Sequence, residues 1–364
     1  MSIPFHDLKQ QHHLIKAEIE EAIGRVCSDT AFSGGKYVEA FEAAFAKHYG
    51  AGSAAAVNSG TSALHLALIA LGIKPGDEVI VPANTFIATA WAVAYVNARP
   101  IFADCDADTW EIDPQDVSNK ITDRTRAIIG VHLYGQPFDI DRILKIAKEH
   151  GLGLIEDCAQ AHGARYKGKY VGGFGEMGCF SFYPGKNLGA YGEGGAVVSN
   201  QSSYIDRIKK LRNHGSSIRY QHEEIGFNMR MDGIQAAVLS VKLRHLDAWN
   251  QRRKDIARQY RSGIKNPKIK LQRRPEWAEP VHHLFVVTTE DRNSLIEHLK
   301  KAGISTALHY PIPCHLQKAF AHLGYRKGDL PNAEYLAEHC VSLPMFPELT
   351  DEQVSRVIAA MNDY

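Results

Sequence analysis

Two short apolar runs, Arg126-Ala-Ile-Ile-Gly-Val-His-Leu133 and Gly153-Leu-Ile-Glu-Asp157, decide the fold of this chain. Between them, Ile140 to His150 has the apolar spacing of an amphipathic helix. Nearly continuous apolar strands that are joined through a helix are typical of a parallel sheet covered on both faces. The region therefore predicts an α/β fold.

The same alternation continues toward the N-terminus. Glu78–Pro82 and Arg99–Asp104 are predicted to be strands, with a helix between them from Ile87 to Asn97. Beyond Met231 the pattern changes to one long helix from Asp232 to about Arg261. Strand and helix signals then mix more loosely, as in a small α+β unit.

These patterns predict a doubly wound, mostly parallel sheet in a large domain and a smaller α+β C-terminal domain. We place the large domain at residues 1–245 and the small domain at residues 246–364. A helix at about Gln11 to Val26 is expected to pack on the small domain or on a partner subunit. In a doubly wound sheet, ligands bind outside the carboxyl ends of the strands.

Bulk composition limits the classes of function. The chain has 364 residues, 45% hydrophobic content and a net charge of +1, so it carries no electrostatic signal for nucleic acid or for an anionic membrane. Its longest apolar stretch, Ile87 to Val96, is too short to span a bilayer, and the N-terminus does not resemble a secretory signal. Six scattered cysteines lack metal spacing and suit a reducing compartment. We therefore expect a cytoplasmic protein without a metal centre, a nucleic-acid partner or a membrane segment.

One lysine stands in an unusual setting. Lys186 follows Phe180-Ser-Phe-Tyr-Pro-Gly and precedes the glycine-rich run Asn187 to Gly195. Such a backbone lets a ligand approach closely, and a partly desolvated lysine in that position becomes an amine nucleophile. The alternative is an ordinary solvated loop lysine, which the neighbouring motifs disfavour.

A run of small residues begins a predicted helix at Asn58-Ser-Gly60-Thr61-Ser62. Free N–H groups and hydroxyls at a helix start can bind an anion, although Ser and Thr are also ordinary helix caps. The run is neither a dinucleotide fingerprint nor a P-loop.

Three further residues complete a possible site. Asp157 ends a buried strand, where its carboxylate could face a cationic ring nitrogen, although it could also cap a helix. Phe86 could stack on a flat ring or belong to the core, and Ser181 could donate to a phosphate. An anion cradle, a stacking face, a ring-nitrogen partner and an amine are together what pyridoxal 5′-phosphate (PLP) requires of a protein.

The chain resembles, over nearly its whole length, the DegT/DnrJ/EryC1 group of sugar aminotransferases, which have the fold-type I (aspartate aminotransferase-like) architecture. The matching segments occur in the order found in that group: Asn58-Ser-Gly-Thr-Ser-Ala-Leu-His-Leu-Ala, Pro82-Ala-Asn-Thr-Phe-Ile-Ala-Thr, Glu156-Asp-Cys-Ala-Gln-Ala-His, Ser181-Phe-Tyr-Pro-Gly-Lys-Asn-Leu-Gly, Gly192-Glu-Gly-Gly-Ala, Gly226-Phe-Asn-Met-Arg-Met-Asp, and His309-Tyr-Pro with His315-Leu-Gln.

The resemblance implies a set of residue roles toward the cofactor. Lys186 would form the Schiff base, Asp157 would pair with the pyridine nitrogen, Gln160 would lie near the ring hydroxyl and Phe86 would cover the ring face. Four residues would bind the phosphate, namely Gly60, Thr61, Ser62 and Ser181. Asn228 would reach the phosphate of the neighbouring subunit, so the resemblance also implies a homodimer with shared sites.

Within the group, Tyr183-Pro-Gly-Lys-Asn-Leu-Gly-Ala is similar to enzymes that aminate C3 of a dTDP-linked 3-keto-6-deoxyhexose with L-glutamate as the donor. Residues expected to contact the sugar are His162, Tyr183, His309 and Tyr310. Arg219 and Tyr220 are expected to contact the nucleotide diphosphate, since the guanidinium fork of an arginine suits phosphate oxygens. His132, His214 and His315 are expected to be structural.

Other functions stay open at this point. C4 aminotransferases of nucleotide-linked 4-keto sugars share the fold, and more often carry another residue in place of Tyr183. Related dehydratases are expected to have a histidine where this chain has Lys186. A non-catalytic regulatory protein could keep the fold. A nicotinamide oxidoreductase is disfavoured because the chain lacks Gly-x-Gly-x-x-Gly.

Overall fold

The computed structural model describes residues 2–364. In that range the chain forms twelve α-helices and thirteen strands. The helices are α1 (Leu8–Ser28), α2 (Lys36–Tyr49), α3 (Gly60–Leu71), α4 (Ala88–Tyr95), α5 (Pro114–Asn119), α6 (Ile140–His150), α7 (Ser202–Leu211), α8 (Gly233–Leu243), α9 (Leu246–Gly263), α10 (Arg292–Lys301), α11 (Pro331–His339) and α12 (Asp351–Asn362). No helix among these residues has the length and apolar character needed to cross a bilayer.

The strands form one large sheet and two small ones. They are β1 (Ser53–Val57), β2 (Glu78–Pro82), β3 (Arg99–Ala103), β4 (Thr125–Val131), β5 (Gly153–Asp157), β6 (Arg165–Tyr166), β7 (Lys169–Tyr170), β8 (Met177–Ser181), β9 (Gly195–Ser199), β10 (Lys270–Leu271), β11 (Ala278–Glu279), β12 (Phe285–Thr288) and β13 (Cys340–Leu343). The large sheet has seven strands in the order β1-β9-β8-β5-β4-β2-β3.

Only one strand of the large sheet runs antiparallel to the others. Five strands, β8, β5, β4, β2 and β3, pair in parallel, and β9 is antiparallel to both β8 and β1. The predicted doubly wound, mostly parallel sheet is thus confirmed. The carboxyl ends of β5 and β8 lie side by side, because Asp157 pairs with Cys179.

Helices cover both faces of this sheet, as the apolar strands require. One face packs into a cluster that contains Phe41, Ile128 and Leu154, and the other into a cluster that contains Leu66, Ile129 and Ile155. Neighbouring residues of a strand point to opposite faces. Glu156 therefore faces the first cluster, whereas Asp157 faces the second, on the side of α3 and α4.

The C-terminal part has its own apolar cluster. The sheet β10-β12-β13 packs with α9, α10 and α12 around residues such as Tyr260, Phe285 and Val354. Ile3 belongs to this cluster as well and pairs with Ile304, so the start of the chain joins the C-terminal part. The proposed boundary between residues 245 and 246 remains a prediction.

Two helix predictions need correction. The predicted helix from Asp232 to about Arg261 is in fact two helices, because the helix α8 ends at Leu243 and α9 starts at Leu246. The N-terminal helix is longer than predicted, since the side chain of Asp7 caps it by accepting from the N–H groups of Lys9 and Gln10. It packs mainly on α8, with Trp249 of α9 at the edge of the contact.

Candidate active site

Lys186 lies in the loop that follows β8, at the carboxyl edge of the large sheet. Its backbone N–H donates to the carbonyl of Tyr183 at 2.9 Å, which closes a tight turn. The side chain is half-buried. Burial lowers the pKa of Lys186 to about 8, and the negative charge of Asp157 opposes this shift. The neutral fraction of the amine near neutral pH is therefore much larger than for an ordinary lysine, although the ammonium form still predominates.

Asp157 is buried at the end of the neighbouring strand β5. One carboxylate oxygen accepts from the N–H of Ala159 at 3.1 Å, and the other accepts from the hydroxyl of Thr89 at 2.9 Å. Desolvation raises the pKa of Asp157, and the charge of Lys186 partly offsets that rise. The charges of Lys186 and Asp157 thus act on each other's pKa. The buried carboxylate accepts only two hydrogen bonds, so a nearby cation would stabilise it further.

Gln160 is held from two sides. Its side-chain oxygen accepts from the N–H of Tyr134 at 2.6 Å, and its amide nitrogen donates to the hydroxyl of Tyr310 at 2.9 Å. Tyr310 comes from the C-terminal part of the chain, and burial raises its pKa. Tyr310, which we expected to contact a sugar, is therefore placed as a partner of Gln160.

The predicted anion cradle is the N-terminus of α3. The hydroxyl of Ser59 accepts from the N–H of Ser62 at 3.1 Å, while the N–H groups of Gly60 and Thr61 have no partner within the helix. A Cβ atom on Gly60 would lie 2.5 Å from the Cβ of Ser181, so the absence of a side chain brings Ser181 against the helix start. The four predicted phosphate ligands are together.

Close packing continues at the start of β9. A Cβ on Gly195 would lie 2.3 Å from the carbonyl oxygen of Ser59 and 2.8 Å from the nitrogen of Gly60. Only glycine fits between the strand and the helix start. The helix dipole and its free N–H groups suit a phosphate at this position.

Phe86 precedes α4, the helix that carries Thr89. Its side chain is 51% exposed, which is unusual for a phenylalanine. The ring centroid lies 5.7 Å from that of Tyr310, with 46° between the planes. An exposed aromatic face one turn before Thr89, whose hydroxyl donates to Asp157, can stack on a flat ring.

The chemical groups at this site fit PLP. A half-buried amine, a carboxylate in need of a cationic partner, an open aromatic face and a helix N-terminus match the aldehyde, ring nitrogen, ring face and phosphate of the cofactor. The fit comes from groups on β5, β8, α3 and the segment before α4, all at one edge of the sheet.

The residues that we expected to contact a sugar lie in different environments. Tyr183 is exposed, beside Lys186 in sequence. His309 is half-buried, its Nδ1 lies 2.8 Å from the hydroxyl of Ser342, and desolvation followed by the charge of Lys186 lowers its pKa to about 4. His162 is fully buried against Phe180 and Phe182, and its pKa falls to about 3 through desolvation. Its position in the core gives no support to a contact with substrate.

The residues expected to act at a subunit boundary lie on a separate, exposed segment. Arg219 donates to the hydroxyl of Tyr220 at 3.0 Å, and its guanidinium lies 4.8 Å from the ring centroid of the same residue. Asn228 pairs through its backbone with Asn213, and its side chain is exposed. Among residues 2–364, no hydrogen bond joins any of these three to Lys186 or to Gly60, Thr61 or Ser62, although the carbonyl of Met229, next to Asn228, accepts from the N–H of Asn58.

The buried groups around Glu156 form a structural network. Glu156 accepts from the N–H groups of Gly172, Phe174 and Gly175, and its Oε2 lies 3.1 Å from Nε2 of His132. His132, Glu156 and Cys158 are close enough to share an ion. The carboxylate, however, is already saturated with donors, and His132 has the structural role that we predicted for it.

Three residues at the site were not predicted from the sequence. Thr89 bonds to Asp157, Tyr134 bonds to Gln160 through its backbone, and His283 lies 3.2 Å from the side chain of Asn187, the residue after Lys186. Thr89 lies inside a helix and His283 lies beside a strand. Thr89 is the last residue of the Pro82–Thr89 motif, whereas no local pattern marks His283.

Comparison with known proteins agrees with this geometry. Residues 13–362 match the DegT/DnrJ/EryC1/StrS aminotransferase family. A dTDP-3-amino-3,4,6-trideoxy-alpha-D-glucose transaminase from Streptomyces venezuelae is 46% identical, over 100% of this chain and 96% of that protein. A dTDP-3-amino-3,6-dideoxy-alpha-D-galactopyranose transaminase from Aneurinibacillus thermoaerophilus is 45% identical, over 100% of this chain and 99% of that protein.

A solved structure is similarly close. The crystal structure of DesV from S. venezuelae in complex with a ketimine intermediate superposes with a TM-score of 0.98 at 46% sequence identity. The match covers 100% of this chain and 98% of that one. The likeness thus extends over both the large sheet and the C-terminal part.

Proposed function

This chain belongs to the DegT/DnrJ/EryC1/StrS aminotransferase family, and on that premise we propose that it transfers the amino group of L-glutamate to C3 of a dTDP-linked 3-keto-6-deoxyhexose. The product would be a dTDP-3-amino-3,6-dideoxyhexose. The observation that carries the proposal is the pair of Lys186 and Asp157 beside the N-terminus of α3. The two relatives named above are both transaminases of dTDP-linked 3-amino sugars.

The protein is a PLP-dependent aminotransferase with a nucleotide-sugar substrate and an amino donor. When bound, PLP supplies an electron sink for charge that develops at the carbon losing its proton. In our proposal the ring would lie between Phe86 and the sheet edge, with Asp157 at its nitrogen and Gln160 near its hydroxyl. Gly60, Thr61, Ser62 and Ser181 would hold its phosphate.

Lys186 would perform the proton transfer. As a neutral amine its Nζ can take the α-proton of glutamate, and as an ammonium it can return a proton to the product side. Asp157 would stay ionised opposite a cationic nitrogen, since that charge offsets the cost of burying a carboxylate. Thr89 and the N–H of Ala159 orient the carboxylate for this role.

We further propose a homodimer in which each subunit completes the site of the other. Support comes from the exposed segment around Asn228, where Ile218 is 59% exposed and Ile225 is 91% exposed. Exposed apolar side chains of this size favour burial against a second protein surface. Asn228 of the partner subunit would then reach the phosphate, and Arg219 and Tyr220 would meet the nucleotide diphosphate across the boundary.

Tyr183 and His309 are the residues that we propose to face the sugar. Tyr183 is exposed next to Lys186, and the neutral ring of His309 could accept from a sugar hydroxyl. An alternative is amination at C4 of a nucleotide-linked 4-keto-6-deoxysugar. A non-catalytic regulatory role is less favoured, because the amine, the acid and the anion cradle are all present. The cytoplasmic location stays a prediction.

One assay separates these functions. Purified protein with PLP and L-glutamate is offered dTDP-linked 3-keto and 4-keto 6-deoxysugars, 2-oxoglutarate is measured, and the position of the new amino group is determined by NMR. We expect an amino group at C3. An amino group at C4 would support the alternative, and bound PLP without amino transfer to either sugar would contradict both.

A further inference from the structure

The loop that carries Lys186 is joined to distant parts of the chain through one side chain. Residues 183–190 form a tight turn after β8, in which the N–H of Ala190 donates to the carbonyl of Phe182 at 2.8 Å. Among residues 2–364, the hydrogen bonds of this loop beyond the turn itself and residues 181 and 182 all come from the side chain of Asn187. Asn187 is buried and directly follows Lys186. A group that holds this side chain therefore also holds the backbone of Lys186.

Asn250, which lies in α9, holds the side chain of Asn187. Its side-chain oxygen accepts from the amide nitrogen of Asn187 at 2.9 Å, and its own amide nitrogen donates to the backbone carbonyl of His162 at 2.7 Å. A backbone carbonyl can only accept, so the contact with His162 determines which end of the Asn250 amide is nitrogen. The amide nitrogen of Asn187 also donates to the carbonyl of Val281 at 3.2 Å. One orientation of the two amides therefore satisfies all three hydrogen bonds.

His162 belongs to the segment that carries the acid. The stretch 157–162 begins with Asp157 and contains Gln160. Asn250 approaches this segment closely, since a Cβ atom on Gly163 would lie 2.6 Å from its amide nitrogen. The amide of Asn250 thus contacts the loop of the amine on one side and the segment of the acid on the other.

The helix α9 is itself anchored at this point. Arg253, one turn after Asn250, is buried and donates to the carbonyls of His282 and His283 at 3.3 Å each and to that of Met345 at 2.8 Å. Hydrogen bonds from a charged donor are stronger than those between neutral groups, so they restrict movement of α9 relative to these segments. Asn250 is therefore attached to a fixed part of the molecule.

We propose that Asn250 is a positioning residue for the proton transfer: by bonding Asn187 and the carbonyl of His162 at once, its amide holds the loop of Lys186 at a set distance from the segment of Asp157. The proposal rests on the proposed function, in which Lys186 moves the proton. A displacement of about 1 Å at the reacting group can cost about 100-fold in rate, even when the change that causes it lies away from the substrate.

Two matched variants test this role. Asn250→Leu keeps the branched shape of the side chain but removes both hydrogen bonds. Asn266→Leu is the control, because the amide nitrogen of Asn266 likewise donates to a backbone carbonyl, that of Met361 at 3.0 Å, and its oxygen accepts from the N–H of Lys268 at 3.0 Å. Met361 belongs to the C-terminal apolar cluster. Both variants should lower the melting temperature, because each loses two hydrogen bonds.

Each variant is loaded with PLP, and a single turnover with saturating L-glutamate is followed through the loss of the visible band. We expect Asn250→Leu to show full amplitude with a rate constant about 10- to 100-fold below wild type, whereas Asn266→Leu should stay within about threefold. With glutamate deuterated at the α-carbon, the isotope effect in Asn250→Leu should be at least as large as in wild type, because proton transfer is the slowed step.

A purely structural role of Asn250 would give a different result. It would lower the amplitude, because fewer molecules would be active, and leave the rate constant within about threefold of wild type, which would overturn the proposal. A lower rate constant without an isotope effect would overturn it too, since another step would then be limiting, and so would an equal loss of rate in Asn266→Leu. The glutamate reaction needs no sugar, so a failure to aminate the sugar, which would refute the proposed function, is seen separately.

Two further experiments cover the case in which Asn250→Leu does not fold. Asn250→Asp keeps the oxygen that accepts from Asn187 and loses only the donor to His162, and we expect a rate constant about 5- to 20-fold below wild type. A rate constant within about twofold of wild type would overturn the proposal. In a crystal structure of the wild-type protein with PLP, both hydrogen bonds of Asn250 should be present, and the loss of either would contradict the proposal.

Discussion

Lys186 and Lys242 lie in two regions of the molecule where a lysine pKa is lowered, but their surroundings differ. Desolvation lowers the pKa of each lysine to about 8, and one carboxylate opposes the shift in each case, Asp157 for Lys186 and Glu348 for Lys242. Burial raises the pKa of both carboxyl groups. A lowered lysine pKa alone therefore does not identify the reactive amine.

The surroundings distinguish the two. Lys242 is only 1% exposed, inside α8, and its ammonium lies 5.5 Å from the ring centroid of Tyr191 and 5.8 Å from that of Trp249. Lys186 is half-buried in the loop after β8, the strand whose last residue, Ser181, lies against the N-terminus of α3. A desolvated lysine becomes a candidate nucleophile when a ligand can reach it and when nearby groups can bind the rest of that ligand.

Replacing the two lysines should give the largest contrast. Lys186→Ala removes the amine that we propose to move the proton, so we expect kcat to fall by about 10⁴-fold or more. Lys242→Met keeps the volume and apolar contacts of the side chain, and kcat per folded enzyme should stay within about threefold. Steady-state kinetics with circular dichroism on both proteins tests this. Equal losses in two folded variants would remove the distinction.

Replacing the two carboxylates, Asp157 and Glu348, should give the next largest difference in kcat. Asp157→Asn removes the negative charge that we propose to lie opposite the ring nitrogen, and we expect kcat to fall by about 10²- to 10³-fold with the fold intact. Glu348→Gln is the matched control, with kcat within about threefold of wild type because the charges that act on Glu348 are those of Arg253 and Lys242, not that of Lys186. Retained turnover in Asp157→Asn would refute the role of the acid.

The pKa of Lys186 predicts how fast apo-protein takes up PLP. Only the neutral amine attacks an aldehyde, so the rate should rise about 50-fold from pH 6 to pH 8 and level off above that. The visible band that appears on adding PLP reports the rate. The reaction of PLP with Nα-acetyl-lysine, which keeps a free side-chain amine, is measured in the same buffers to correct for ionisation of PLP itself. A rate that keeps rising toward pH 10 would indicate an unperturbed lysine.

The smallest effect should come from Thr89. Thr89→Val keeps the shape of the side chain but removes the 2.9 Å hydrogen bond to Asp157. Because one hydrogen bond orients the carboxylate, we expect kcat to fall by about 2- to 10-fold. Thr85→Val, which removes the 3.1 Å contact between the two threonine hydroxyls, serves as the control and should change kcat less. If Thr85→Val proves the more harmful of the two, the orienting role of Thr89 is wrong.

Sequence patterns predicted the sheet and the candidate cofactor groups because both are local. Strand ends, a helix start and a glycine-rich loop each leave a contiguous signal, as at Asp157, Gly60 and Lys186. The break between α8 and α9 was missed because no proline or glycine stands at Arg244 or His245.

Positions that depend on the tertiary structure could not be predicted. His283 and Asn187 are 96 residues apart in the chain, and Gln160 and Tyr310 are 150 apart, so no window of sequence contains either pair. His162 belongs to the same short motif as Asp157 and Gln160, yet its side chain packs between two phenylalanines in the core.

Chemical trapping tests the central claim most directly. Enzyme loaded with PLP is reduced with borohydride, which makes the link between an amine and PLP permanent, and the labelled peptide is identified by mass spectrometry. We predict one label per chain, on Lys186. A label on Lys242 or on another lysine, or no label on a protein that binds PLP, would contradict the account.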